Sequence, residues 1–186
     1  MNLLKFHNKI KGYTQNRQPG IEADMEPKPI AELEEYKAAG KLENKVALIT
    51  GGDSGIGRAI AILYAKEGAN VAIGYYDEHQ DAEDTVNRLQ EMGVKAKAYA
   101  HDLKDEKQSQ KLIKDVINDF GSLNILVNNG GVQFPRDHFE DITPQQVKET
   151  FMTNIFGMMF LSQSAVPYLS EGDTIINTTS VTAYRG

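Results

Sequence analysis

Val46-Ala47-Leu48-Ile49-Thr50-Gly51-Gly52-Asp53-Ser54-Gly55-Ile56-Gly57-Arg58-Ala59-Ile60 reads as a buried strand, a glycine-rich turn and a helix start in immediate succession. Val46 to Ile49 is apolar throughout, as expected of a parallel strand covered on both faces. Gly51, Gly55 and Gly57 remove Cβ atoms from the turn, so backbone N–H groups can approach a phosphate closely. Ala59, Ile60, Leu63 and Tyr64 follow at helical spacing, and the first turn of that helix would aim its positive end at a pyrophosphate. A glycine-rich strand-to-helix turn that binds nothing has the same local pattern, so the loop has to be weighed with the rest of the chain.

The residues around the last glycine exclude the two commonest phosphate motifs. Read from Gly52 as a P-loop, the sequence has Arg58 and Ala59 where Lys and Ser/Thr belong, which leaves no hydroxyl for Mg²⁺. The G-x-G-x-x-G fingerprint fails as well, because the spacing here is Thr-Gly-x-x-x-Gly-x-Gly.

Composition narrows the class. The chain of 186 residues is long enough for one α/β domain with an appendage, and its 40% hydrophobic and 25% charged residues suit a globular protein. The absence of cysteine excludes disulfides and thiolate metal sites, and the four scattered histidines (His7, His79, His101, His138) suggest no metal. A net charge of −6 argues against nucleic acid. The absence of a long apolar run argues against a membrane span or signal peptide, so a cytoplasmic location is expected. The basic tip with Lys5, Lys9, Lys11 and Arg17 is expected to be a solvated tail.

Residues 1–40 read as a polar extension, interrupted by Pro19, Pro27 and Pro29; from Glu22 to Glu43 the chain carries seven acids against three lysines. Such an arm is usually flexible, although Ile21, Met25, Ile30, Leu33 and Tyr36 would let it lie along its own domain or a neighbouring subunit. Residues 41–186 read as the dinucleotide-binding unit. After the opening strand and helix come a strand over 70–75, a helix over 80–92, a strand over 94–100, a helix over 105–120 and a strand over 123–128. A long helix over 144–169 and a strand over 174–178 complete the pattern. This alternation predicts a doubly wound, Rossmann-like parallel sheet of five strands, with ligands beyond the carboxyl ends of the strands.

The chemistry-bearing residues follow those strand ends, and together they resemble the short-chain dehydrogenase/reductase family. Thr50 to Gly57 resembles its cofactor loop, Asn128-Asn129-Gly130-Gly131 its Asn-Asn-Ala-Gly segment, Asn154 its helix asparagine and Ser180 its catalytic serine. The resemblance covers about Lys45 to Gly186, and the polar arm is similar to that of a bacterial subgroup. It implies an NAD(P)-dependent oxidoreductase that moves hydride between nicotinamide and a small carbonyl or alcohol substrate. The cofactor-binding residues it implies are Gly51, Asp53, Ser54, Gly55, Ile56, Gly57, Tyr75, Asp77, Asp102, Leu103, Asn128, Gly130 and Gly131. Ser180 and Asn154 are implied to be catalytic.

Each of these has a plainer alternative. Asp102, which the resemblance places near the adenine amino group, would also serve as a helix cap. Asn128 and Gly130 would also serve as turn formers, and Gly130, standing where the family has Ala, is expected to loosen the turn. Asn154, which holds a relay water in the family, would also be a satisfied core amide. Ser180 has no neighbouring triad and no Gly-x-Ser-x-Gly elbow. After the second strand, Asp77 and Glu78 are expected to repel a 2′-phosphate with no Arg or Lys nearby, which favours NAD slightly over NADP. The broad apolar helix over 144–169 suggests a homo-oligomer.

The family's Tyr-x-x-x-Lys segment is not reached before Gly186, so the expectation is a cofactor-binding portion that is inactive alone. Tyr184 is expected to be a loop aromatic. The alternative is a non-catalytic dinucleotide-binding module.

Overall fold

Alternating side chains of the apolar strands feed two separate cores, and this fixes the layer order. The computed structural model describes residues 15–33 and 35–181; Tyr184 lies outside the described residues. Ala47 and Ile49 of β1 (Val46–Thr50), Val71 and Ile73 of β2 (Asn70–Tyr75) and Ile125 and Val127 of β4 (Ile125–Asn128) face one side. They pack there against Ala61, Ile62 and Ala65 of α1 (Gly55–Lys66) and Ala82 and Leu89 of α2 (His79–Glu91). Val46, Leu48, Ala72 and Leu126 face the other side. Their partners are Leu112, Ile113 and Val116 of α3 (Glu106–Phe120) and Leu161 and Ala165 of α5 (Gly157–Ala165). Strands buried on both faces need helices on both faces, which is the doubly wound arrangement.

The sheet is parallel throughout, in the order β3-β2-β1-β4-β5, with β3 at Ala96–Ala100 and β5 at Thr174–Asn177. Leu48 pairs with Ala72 on one side and Leu126 on the other. The order reverses at β1, between β2 and β4, so the crevice for a ligand opens at the carboxyl end of β1.

Several boundaries differ from the sequence reading. The third strand starts at Ala96 rather than Val94, and the fourth at Ile125 rather than Leu123. Asp105 lies outside its helix as the N-cap, its carboxylate accepting from Lys107 N (2.8 Å) and Gln108 N (3.2 Å). The largest correction concerns the predicted helix over 144–169. It divides into α4 (Pro144–Phe151), a π turn at Met152–Phe156, α5 and a 3-10 turn at Val166–Tyr168. Pro167 lacks the N–H needed to continue α5. The π turn surrounds Asn154, whose side chain is committed outside the helix, and such bulges recur at functional sites.

The polar arm lies along its own domain. Carboxylates hold it, with Ala31 packed against the core: Ile30 and Leu33 remain 57% and 63% exposed, whereas Glu22 is 7% exposed. Glu22 accepts from Gly55 N (2.6 Å) and Arg58 Nη1 (2.9 Å), and the N–H groups of Glu22 and Ala23 donate to the Asp81 carboxylate (2.8 and 3.1 Å). Glu32 pairs with Lys66 and Arg88. Glu67, at the end of α1, accepts from the Tyr36 hydroxyl, Ala39 N and Lys41 N.

Candidate functional site

A cleft of about 870 Å³ opens at the carboxyl ends of β1 to β4, within the size range of small-molecule and cofactor sites. Its floor is the loop after β1. Gly55 has φ +52°, and a Cβ there would meet nothing within 4 Å, so its Cα face is open toward the cleft, while its N–H already donates to Glu22 Oε2 (2.6 Å). Ser54 occupies the N-cap position without a side-chain cap bond, so beyond the Gly55 N–H held by Glu22 the first turn of α1 carries no cap from Ser54. Gly57 has a different task from the one expected. A Cβ at Gly57 would lie 1.9 Å from Gly51 O, so this glycine closes the loop on itself and does not line the cleft.

Thr50 joins this loop to the loop after β4. Its hydroxyl accepts from Asn129 N (3.0 Å) and Gly130 N (2.9 Å), while Asn129 Nδ2 donates to Thr50 O (3.1 Å). Asn129 Oδ1 also accepts from Thr178 Oγ1 (3.3 Å), tying in the end of β5. Gly130 does not loosen this turn. A Cβ there would stand 3.2 Å from Gly51 N and 3.0 Å from Leu103 Cδ1, so the loops have closed into the space.

Gly51, Asp53, Ser54, Gly55, Ile56, Tyr75, Asp102, Leu103, Gly130 and Gly131 line the cleft. Asp102 Oδ1 accepts from Lys104 N (2.9 Å) in a local turn, and the helix-capping role belongs to Asp105 instead. Burial raises the Asp53 carboxyl above its ordinary range. Burial also raises the Tyr75 phenol, with Asp53 and Glu78 adding to the effect, and its hydroxyl shares a hydrogen bond with His79 Nδ1 (2.9 Å).

The other expected site residues stand elsewhere, for identifiable reasons. Asn128 is buried on the α5 side, where Nδ2 donates to Asn177 Oδ1 (2.8 Å) and Ser162 Oγ (3.1 Å); it ties β4 to β5 rather than lining the cleft. Asn154 makes a reciprocal pair with one backbone unit, accepting from Val132 N and donating to Val132 O, both at 2.8 Å. Its amide is therefore satisfied, and its visible effect is to fix the loop that walls the cleft. Ser180 is exposed beyond the end of β5 and is not a lining residue. Asp77 also stands outside the lining, while its neighbour Glu78 is part of it.

Sequence reasoning missed three contributors. His101, 6% exposed, lines the cleft with neither ring nitrogen hydrogen-bonded among the described residues, and burial lowers its pKa. Gly74 makes room for its ring, since a Cβ there would lie 2.6 Å from His101 Cε1. Val132 to Arg136 form one wall. Finally, Gln15 to Pro19 of the arm line the cleft, and Arg17 reaches both Asp77 and Glu78. At Arg17 this contact corrects the expectation of a solvated tail, whose Lys5, Lys9 and Lys11 lie outside the described residues, and it corrects the expectation of no base near the second strand. No local signal marks a pairing across sixty residues, although the positions of Arg17, Asp77 and Glu78 were each visible.

The fold and the cleft define a doubly wound α/β protein, and the chain belongs to the short chain dehydrogenase family, whose model matches residues 45–186. General stress protein 39 of Bacillus subtilis is 47% identical over 184 residues, covering 99% of this chain and 64% of the relative. NADPH-dependent aldehyde reductase 1, chloroplastic, of Arabidopsis thaliana is 40% identical over 178 residues, covering 92% of this chain and 62% of the relative. A short chain dehydrogenase from Burkholderia cenocepacia J2315, solved in complex with NADP, superposes with a TM-score of 0.75 at 36% identity; 78% of this chain and 59% of that one are covered. The chain thus spans roughly three-fifths of the length of these relatives.

Proposed function

We propose that the cleft holds a nicotinamide adenine dinucleotide and that the chain is the cofactor-binding part of an oxidoreductase acting on a small carbonyl or alcohol. The observation that carries this reading is the open glycine face at the start of α1, because a diphosphate needs close approach to that turn; Glu22 holds the Gly55 N–H, which leaves the N–H of Ile56 as the first helical donor for it. The complex with NADP of the Burkholderia cenocepacia relative supports it. Gly51, Ser54, Gly55 and Ile56 would hold the diphosphate, Asp102 and Leu103 the adenine, and Gly130 and Gly131 the ribose beyond it. When bound, the nicotinamide supplies or accepts the hydride. In this reading residues 41–186 form the dinucleotide-binding unit, residues 1–40 are an extension, and the protein is cytoplasmic.

The reduction of a carbonyl also needs a proton. Tyr75 does not suit that task, because burial and two nearby acids raise its phenol further from neutral pH. Ser180 is assigned a hydrogen bond to the substrate oxygen, and Asn154 the positioning of the cleft wall and of a relay water. No Tyr-x-x-x-Lys segment follows Ser180 within the 186 residues, so these residues by themselves are expected to bind cofactor without turnover. A second copy is the expected partner. Phe151, Ile155 and Met159 lie along α4, the π turn and α5, 54%, 49% and 50% exposed, an apolar row that a second copy would cover.

The test is calorimetric titration of NAD⁺, NADH and NADP⁺ into the chain and into Gly55→Val, with circular dichroism to check folding. A branched residue at φ +52° is both strained and set in the open cradle, and an affinity loss of about tenfold or more is expected. Equal binding by both folded proteins would remove the loop from the site.

A further inference from the structure

The arm contributes a cation to the end of the cleft where a doubly wound protein distinguishes the 2′ substituent of the adenosine ribose. That end lies at the carboxyl terminus of β2, where Tyr75, Tyr76 and Glu78 line the cleft with Gln15 to Pro19. Arg17 Nη2 donates to Asp77 Oδ1 and to Glu78 Oε1 (3.2 Å), while Arg17 Nε donates to Pro19 O (2.8 Å). The Glu78 side chain is 1% exposed, that of Asp77 50% and that of Arg17 36%. The guanidinium is therefore held from two sides yet still reaches solvent at the cleft.

Its position is built rather than accidental. Gln15 braces the turn by donating to Ile21 O and accepting from Ile21 N, both at 2.7 Å. The next residue, Glu22, is locked to the cofactor loop through Gly55 N and to α2 through Asp81. The arm thus joins the loop after β1 to the turn after β2.

We propose that Arg17 is a specificity-determining residue for the 2′ position, offsetting Asp77 and Glu78 so that the site tolerates a 2′-phosphate. This rests on the dinucleotide reading above. Without Arg17, the ribose end presents two carboxylates, which leave a 2′-hydroxyl acceptable and repel a 2′-phosphate. With Arg17, one negative charge is offset and guanidinium N–H groups suited to phosphate oxygens stand at the cleft. Lys104 is the lining cation of the neighbouring strand end, but it faces Asp102 (3.7 Å). A unit charge about 5 Å from the phosphate, at a partly solvated site, changes affinity by about tenfold.

The experiment measures Kd for NAD⁺ and NADP⁺ by calorimetry on the full chain and on Arg17→Gln, Arg17→Lys and Asp77→Asn. Arg17→Gln is expected to raise Kd for NADP⁺ about tenfold while moving Kd for NAD⁺ less than about twofold; Arg17→Lys should keep most of the NADP⁺ affinity. Asp77→Asn is expected to tighten NADP⁺ severalfold, the opposite sign. A merely structural Arg17 would weaken both cofactors together and give Asp77→Asn the same sign as Arg17→Gln, and either result overturns the proposal. Binding of both dinucleotides with an unchanged ratio in all variants overturns the role of Arg17 alone. Failure of the unsubstituted chain to bind either one overturns the dinucleotide reading and this inference with it.

Discussion

Replacing Glu22 by Ala should destabilise the protein far more than its place in a proline-interrupted polar arm would suggest. Its carboxylate, 7% exposed, accepts from Gly55 N at 2.6 Å and from Arg58 Nη1 at 2.9 Å, and the Arg58 side chain is 23% exposed. Removing one partner of a buried pair costs about 3–5 kcal/mol, and the residual solvent access of Arg58 reduces this to about 2–3 kcal/mol. For a domain of this size that corresponds to a melting temperature lower by roughly 5–10 °C. Thermal unfolding followed by circular dichroism, together with a double-mutant cycle with Arg58→Ala, measures both the total and the coupling. A coupling of about 1–2 kcal/mol is expected. A melting temperature within about 2 °C of the parent, with no coupling, would refute the claim that the arm is carboxylate-anchored to the cofactor loop.

Acid should loosen the other anchor of the arm. Hydrogen bonds from the Tyr36 hydroxyl and from Lys41 N hold the Glu67 carboxyl at about 2, below its ordinary 4.5. Between those values the unfolded chain binds more protons than the folded one, so this contribution is present above about pH 4.5 and is lost as pH falls toward 2. Glu67→Gln should flatten that acid limb in urea titrations at a series of pH values; an unchanged limb would count against the assignment. Asn154→Ala should strip both bonds from Val132, costing about 1 kcal/mol, and speed amide exchange at Val132 about fivefold. Exchange at the parental rate would show that Asn154 does not fix the cleft wall.

The layers of this fold were legible because the strands are short apolar runs and the glycines punctuate them; β1 and β2 emerge within a residue of their expected limits. The cradle was legible for the same reason, since Gly51, Gly55 and Gly57 must serve a tight turn, although the loop-closing role of Gly57 is a contact with Gly51 O that spacing does not reveal. Asn128 shows the limit more sharply. Its position at a strand end was correct, yet alternation along the strand sends its amide to Asn177 and Ser162, away from the cleft. The sequence leaves the arm between a flexible segment and one lying along its own domain for a thermodynamic reason. A polar segment with exposed Ile30 and Leu33 resembles a solvated tail, and what fixes it are charge pairs to groups dozens of residues away. The π turn at Met152–Phe156 was invisible because the apolar periodicity of the helix continues through it.

A crystal structure of the chain grown with NAD⁺ tests the central claim most directly. Density for the diphosphate is expected against the open face of Gly55 and within hydrogen-bond reach of the Ile56 N–H, with the adenosine between Asp102 and the Arg17 to Glu78 end of the cleft. A dinucleotide seated elsewhere, or a cleft left empty at millimolar cofactor, would contradict it.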